Sequence, residues 1–279
     1  MARLPLAELH DFPDHPFGIR NDDAMRETVE SVKKYGVLVP AIVRPLDEGG
    51  YEIVSGHRRK RACELAGIDT LFSLVRKLDD DEATIIMVDS NLQRESILPS
   101  ERAKAYKMKL EAIKHQGQKQ KTTSAQVGQK LKLSIEQVAE DAGESKTQVQ
   151  RFIRLTELSL PLQHMVDEKK IAMTPAVELS YLKPQEQALL LETIESEQAT
   201  PSLSQAQRMK KLSQMGALDE DIMLGIMSEQ KKPERDDITL KSETIRKYFP
   251  RSYTPRQIEE TIIKLLDAWM RKRQKKHEM

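Results

Sequence analysis

The residues best equipped for chemistry stand in one run, Gly56-His57-Arg58-Arg59-Lys60-Arg61, directly after a short apolar segment, Tyr51 to Val54. The segment reads as a strand and the run as the opening of a helix, so basic side chains crowd a helix N-terminus. The free backbone N–H groups there already carry partial positive charge, and a helix ordinarily favours acidic side chains at that end. Cations in this place are tolerable if they are solvated, or if an anion sits among them, and a glycine lets an anion come close to the backbone. One reading is a phosphate cradle. The other is a solvated basic helix face. The order strand, glycine, helix favours the cradle, because it puts charges and N–H groups at one point.

The surrounding elements follow from spacing. Pro5, Pro13 and Pro16 favour an extended or turning arm over the first twenty residues. Asp22 or Asp23 can cap a helix running to Tyr35, with Met25, Val29 and Val32 on one face and Gly36 at its end. Val37 to Arg44 reads as a strand, Glu48-Gly49-Gly50 as a turn into Tyr51 to Val54, and Thr70 to Val75 as a third strand. Asp79 opens a helix through Val88. Residues 1–95 are therefore expected to form a small α+β domain.

Past Leu98-Pro99 the texture turns helical. Ser100-Glu101 can start a long helix carrying Ala103, Tyr106, Met108, Leu110 and Ile113, which runs into a polar stretch over 115–130, read as a flexible joint able to touch a phosphate backbone. Ser134 then caps a helix (Ile135, Val138, Ala139), Ala142-Gly143-Glu144 makes a turn, and Ser145 caps a second helix with Val149, Phe152, Ile153 and Leu155 inward. That is helix-turn-helix spacing. Ser145, Lys146, Thr147, Gln148, Gln150 and Arg151 fall on or near the outward face, where short hydrogen-bonding side chains suit base edges in a major groove. An ordinary helical hairpin with a polar face has the same pattern. Shorter helices follow Leu160-Pro161 through Met215, so 96–215 is expected to be an all-α domain. Within 216–279, the run Glu229 to Asp237 reads as a linker, and a last helix carries a stripe of Ile258, Ile262, Leu265, Leu266 and Trp269. Either the chain's own helices or a second subunit must cover that stripe. The tail Arg271 to Lys276 either holds DNA nonspecifically or keeps the end soluble.

Composition bounds the rest. At 279 residues the chain holds one to three domains, and 4% aromatic against 32% charged residues fits helical units with large solvated faces. A net charge of +1 makes charge distribution, not the total, the guide to a polyanionic partner. The single cysteine, Cys63, excludes a disulfide framework or a cysteine zinc cluster and is expected to be a buried small hydrophobe. Without a signal peptide or a long apolar run, the expected location is cytoplasmic, on nucleoid or plasmid, with no membrane partner.

The stretch Ser55 to Gly67, SGHRRKRACELAG, resembles the arginine-rich box of the ParB family of partition proteins, and Asp89 to Ala103, DSNLQRESILPSERA, resembles its second box. HPFGIR (His15 to Arg20) and YGVLVPAIVRP (Tyr35 to Pro45) resemble the segments upstream. The resemblance implies a ParB- and sulfiredoxin-like α+β domain that binds a nucleoside triphosphate, CTP or a relative of it, together with Mg2+. It assigns Gly56, His57, Arg58, Arg59 and Arg61 to the phosphate box, Gly36 and Pro40 to the segment against base and sugar, and Asn91 and Arg94 to the second box, Asn91 on the metal side. Guanidinium forks also suit phosphate oxygens on purely physical grounds. His57 stands where the family has a glutamate and Ser90 where it has the metal-side glutamate, with Asp89 adjacent, so binding is expected and hydrolysis is not assigned. Ile171 to Leu182, IAMTPAVELSYL, has no base where members carry a Gly-His-Ala-Arg-like helix start. The function implied is sequence-specific binding of a centromere-like double-stranded DNA in plasmid, integrative-element or chromosome partition, as a homodimer, with a ParA-type Walker ATPase as the usual partner. A transcriptional regulator built from the same modules, and a nuclease or phosphoryl-transfer enzyme on the same first domain, are the alternatives.

Overall fold

Alternation along β4 (Tyr51–Ser55) decides what packs on each side of the sheet: Ile53 turns to one face and Val54 to the other, and both are fully buried. The computed structural model describes residues 1–94, 97–118, 134–229, 245, 247–250 and 252–277, with 271–277 described by backbone alone. Most of the joint read over 115–130, most of the linker at 229–237, Glu95-Ser96 of the second box and the side chains of the basic tail lie outside the described residues. The chain forms two compact units, Met1–Gln230 and Lys231–Met279.

The first unit opens on a five-stranded mixed sheet made by β4 with β1 (Ala2–Pro5), β2 (Leu9–Asp11), β3 (Ala41–Pro45) and β5 (Thr70–Val75), in the order β1-β5-β3-β4-β2. The N-terminal arm is extended as expected, but as two edge strands, β1 antiparallel to β5 and β2 parallel to β4. Their partners lie some forty to seventy residues away, beyond the reach of local pattern. The strand expected from Val37 starts only at Ala41; Leu38 and Val39 are instead exposed, because the carbonyls of Val39 and Pro40 are taken by Arg59.

Helices α1 (Asp23–Tyr35, capped by Asp22) and α2 (His57–Ala66) cover one face through Met25, Val32, Ala62 and Cys63. Cys63 is buried there as expected, and burial pushes its thiol pKa up. The other face carries α3 (Asp80–Leu92), with Asp79 and Glu82 forming a capping box, and α4 (Pro99–Gln118); Phe17, Val54, Met87 and Ala105 share this second core.

Helix α4 then serves a third core. Its Tyr106 and Leu110 pack with α5 (134–142), α6 (Lys146–Leu155), α7 (Leu160–Asp167), α8 (Met173–Leu179), α9 (Pro184–Glu197), α10 (Leu203–Met215) and α11 (Glu220–Ser228). Leu160-Pro161 opens α7, since a proline in the first turn costs no hydrogen bond. Met223, Ile226 and Met227 place α11 in this helical core, so the compact unit runs past Met215 to Gln230.

The second unit ends in α12 (Pro255–His277), entered through Thr254, whose N–H donates to Gln257 Oε1 at 2.9 Å. Ile258 is buried, whereas Leu265, Leu266 and Trp269 are each more than half exposed. No helix among the described residues is long and apolar enough to cross a membrane.

Candidate functional site

Gly56 joins β4 to α2 with φ +120°, and a Cβ there would lie 2.7 Å from Ala41 Cβ on β3. Glycine is required twice over, by conformation and by space. No side chain caps α2, so its first N–H groups remain on offer to a ligand.

The five basic side chains diverge. Arg59 folds back to donate through Nη1 to Val39 O (2.7 Å) and Pro40 O (2.5 Å), and burial lowers its pKa. Lys60 donates to Leu9 O (3.0 Å) and Asp11 Oδ1 (2.9 Å). Burial raises the Asp11 pKa, but the Lys60 hydrogen bond and charge outweigh it and leave the carboxyl low. Arg61 pairs with Glu64 at 2.9 Å on the outer side. Arg58 reaches toward α1, with Asp22 Oδ1 at 3.7 Å, an oxygen that also accepts the Met25 N–H to cap that helix.

In the second box Arg94 stands just past the end of α3, its guanidinium over the Phe17 ring at 5.7 Å. Burial lowers the Arg94 pKa first, and the positive charge of Arg58 lowers it further, with Glu101 offsetting part of this. The first box, at an uncapped helix start, and the second thus each hold a guanidinium, and the charge of one is felt by the other.

His57, read as one of the basic cluster, is instead a core residue. It is 4% exposed, its Nε2 accepts the Phe12 N–H at 3.4 Å, and its ring lies 4.1 Å from that of His15. Burial, then the neighbouring His15, hold its pKa down to about 3, so the ring is neutral. Gly36 ends α1 at φ +73° with its N–H on Val32 O, and with Val37, Leu38, Val39 and Arg59 it lines an open groove of ≈ 360 Å³. Pro40 contributes its carbonyl to Arg59 beside that groove.

In the second box Asn91 is buried and donates through Nδ2 to Met87 O (2.7 Å) and Ser90 Oγ (3.3 Å), leaving a carboxamide oxygen to offer. Ser90 Oγ donates to Met87 O at 3.0 Å. Asp89 is held by Lys109 Nζ at 2.5 Å. Among the described residues no three His, Cys, Asp or Glu side chains are grouped to hold a metal.

The helix-turn-helix is built as its spacing predicts. Gly143 turns at φ +66°, the Glu144 N–H returns to Ala139 O at 2.9 Å, and Ser145 Oγ accepts the Gln148 N–H to cap α6. Val149, Phe152 and Leu155 are buried, while Ser145, Lys146, Thr147 and Gln150 are exposed and Gln148 and Arg151 half-buried. Lys146 pairs with Glu136 on α5. Arg151 of α6 donates to Thr174 Oγ1 in the first turn of α8 at 2.7 Å.

His15, Phe17 and Lys109 join the site unheralded. His15 and Phe17 lie in a segment legible only as a resemblance, and nothing in the local spacing of α4 singles out Lys109.

The fold defines a two-module class, an arginine-boxed α+β domain joined through α4 to a helix-turn-helix. Residues 1–92 match the ParB N-terminal domain and 120–214 the ParB HTH domain. Through both domains, the chain belongs to the ParB-like family. Stage 0 sporulation protein J of Bacillus subtilis is 34% identical over 173 residues, 62% of this chain and 55% of that protein. The C-terminally truncated chromosome-partitioning protein ParB from Caulobacter crescentus, solved in complex with the centromeric parS site, is 25% identical with a TM-score of 0.45, covering 76% of this chain and 99% of that one. The same protein complexed with CTP-γ-S is 27% identical with a TM-score of 0.32, covering 67% and 95%. The chain spans 55% to 62% of the length of the curated relatives it matches first.

Proposed function

We propose that this chain is a sequence-specific DNA-binding partition protein whose first domain binds a nucleoside triphosphate as a switch. Supporting the switch is the uncapped start of α2 behind Gly56, together with the charge repulsion between Arg58 of the first box and Arg94 of the second, which an anion would relieve. CTP is the triphosphate that the box resemblance implies, with Gly36, Pro40, Gly56, Arg58, Asn91 and Arg94 around it, Arg59 holding the loop carbonyls beside it, Arg61 turned to Glu64, and Mg2+ arriving on the phosphates. His57 supports this site from the core rather than touching phosphate. His57 is buried with its Nε2 taken by the Phe12 N–H, and Asp89 is bonded to Lys109, so neither is poised to orient a water and the proposed role rests on binding and release.

The exposed start of α6 supports a major-groove contact through Ser145, Lys146, Thr147, Gln148, Gln150 and Arg151 on a centromere-like duplex. Function then divides over three parts: nucleotide binding in 1–95, DNA reading in 96–215, and homodimerisation in 216–279 through the α12 stripe. Relatives named for chromosome partitioning favour a place on the nucleoid; a plasmid and a ParA-type Walker ATPase partner are what the box resemblance implies.

Calorimetric titration with CTP, ATP and GTP, with and without magnesium, tests the reading. CTP is expected to bind selectively, and Arg58→Ala or Arg94→Ala to weaken it at least a hundredfold. Preference for ATP would keep the pocket and change the ligand, and failure of every nucleotide to bind would leave a plain helix-turn-helix DNA binder.

A further inference from the structure

Helix α4 belongs to both folded modules, since Ala105 packs beneath the sheet while Tyr106 and Leu110 lie in the helical core. Between these residues sits Lys109, whose side chain has no exposed surface. Its ammonium donates to Asp89 Oδ1 at 2.5 Å and to Asp141 Oδ2 at 2.6 Å. Asp89 opens the second box, beside Ser90 and Asn91. Asp141 lies in the last turn of α5, just before the Gly143 turn that leads to Ser145 and the exposed face of α6. One buried cation therefore joins the end of the anion-binding module to the entry of the DNA-reading helix.

An ammonium removed from water is stable only while it is paired, and removing one partner of a buried pair leaves a charge that the interior does not compensate. The two carboxylates are 43% and 40% exposed and can be hydrated on their own. Lys109 cannot, so it is the member that holds the joint closed. A second tie runs the same way: the Gly18 N–H, next to Phe17 under Arg94, donates to Glu101 Oε1 at 2.8 Å, and Glu101 Oε2 accepts the Leu98 N–H at α4's start. Both flanks of the anion site thus end on α4.

We propose that Lys109 is a positioning residue that pins the last turn of α3 to α5 in one orientation, and that occupancy of the second box reaches the recognition helix through Asp89, Lys109 and Asp141. The pin stands on the geometry alone; its coupling to a ligand rests on the nucleotide reading above. Movement is transmitted only if the joint has discrete arrangements that ligands bias.

Spin labels at Glu48→Cys and Gln185→Cys, both exposed and one in each module, report the joint in the full chain by pulsed electron resonance. One narrow distance distribution is expected for the labelled parent. Lys109→Met fills similar space without charge and is expected to broaden or split it. Asp89→Asn and Asp141→Asn each leave one carboxylate and should give intermediate widths, and they carry the test if Lys109→Met does not fold. In parallel, affinity for a duplex selected in vitro is measured with and without CTP and magnesium; the ratio is expected to fall at least tenfold toward unity in Lys109→Met. An unchanged narrow distribution in all three variants overturns the pin. A broadened distribution with an intact nucleotide effect overturns the coupling. If the parent binds no nucleotide, the coupling falls with the nucleotide reading, while the distance widths still decide the pin.

Discussion

The rings of His15 and His57 lie 4.1 Å apart beneath the first box, and His57 accepts a backbone N–H from Phe12 as a neutral base would. The fold therefore refuses a proton that the unfolded chain accepts near pH 6.5. Above pH 6.5 neither state binds it and the full stability is present. From 6.5 down toward 3 only the unfolded state binds it, so stability falls with acidification. Burial lowers the His15 pKa as well, in the same direction. At about 1.4 kcal/mol per pH unit, His57 alone should cost on the order of 2 kcal/mol between pH 6.5 and 5. Urea unfolding at a series of pH values checks this, and His57→Asn should flatten the slope even if it lowers the plateau.

Gly56→Ala meets a positive φ and the β3 backbone together. A loss of about 2 to 4 kcal/mol is expected, since strain and overpacking each cost about 1 to 3. Gly67→Ala is the comparison, because φ there is +70° but nothing lies within 4 Å of the added carbon. Equal losses at the two positions, measured by denaturant midpoints, would show that the contact with Ala41 contributes nothing.

For the recognition helix, Gln148→Ala should weaken binding of the selected duplex by about 1 to 3 kcal/mol while sparing random DNA. Ser145→Ala removes the cap of α6 and should lower stability by about 1 kcal/mol, with affinity lost on both duplexes. Competition binding separates the two patterns. A uniform loss from Gln148→Ala would take that side chain off the bases.

Trp269→Glu introduces a charge into the exposed stripe of α12. If that stripe is the dimer contact, sedimentation should show monomer at concentrations where the parent is dimeric, with DNA affinity falling through lost avidity. An unchanged mass would move the interface elsewhere.

Much of this protein was legible from local chemistry. Caps at Asp22, Asp79 and Ser145, apolar spacing on α1 and α6, and the glycine between β4 and α2 depend on neighbours within a few residues, so sequence alone determined those elements and the helix-turn-helix. The two boxes were legible as boxes. Which side chains in them face a ligand was not, because that depends on contacts between distant residues. Tertiary structure sent Arg59 to the loop carbonyls, Lys60 to β2 and Arg61 to Glu64, and left Arg58 beside the α1 cap with its charge acting on Arg94. It also buried His57 against a histidine forty-two positions earlier and gave Asp89 to Lys109, since desolvated polar groups must pair with whatever the packing brings near.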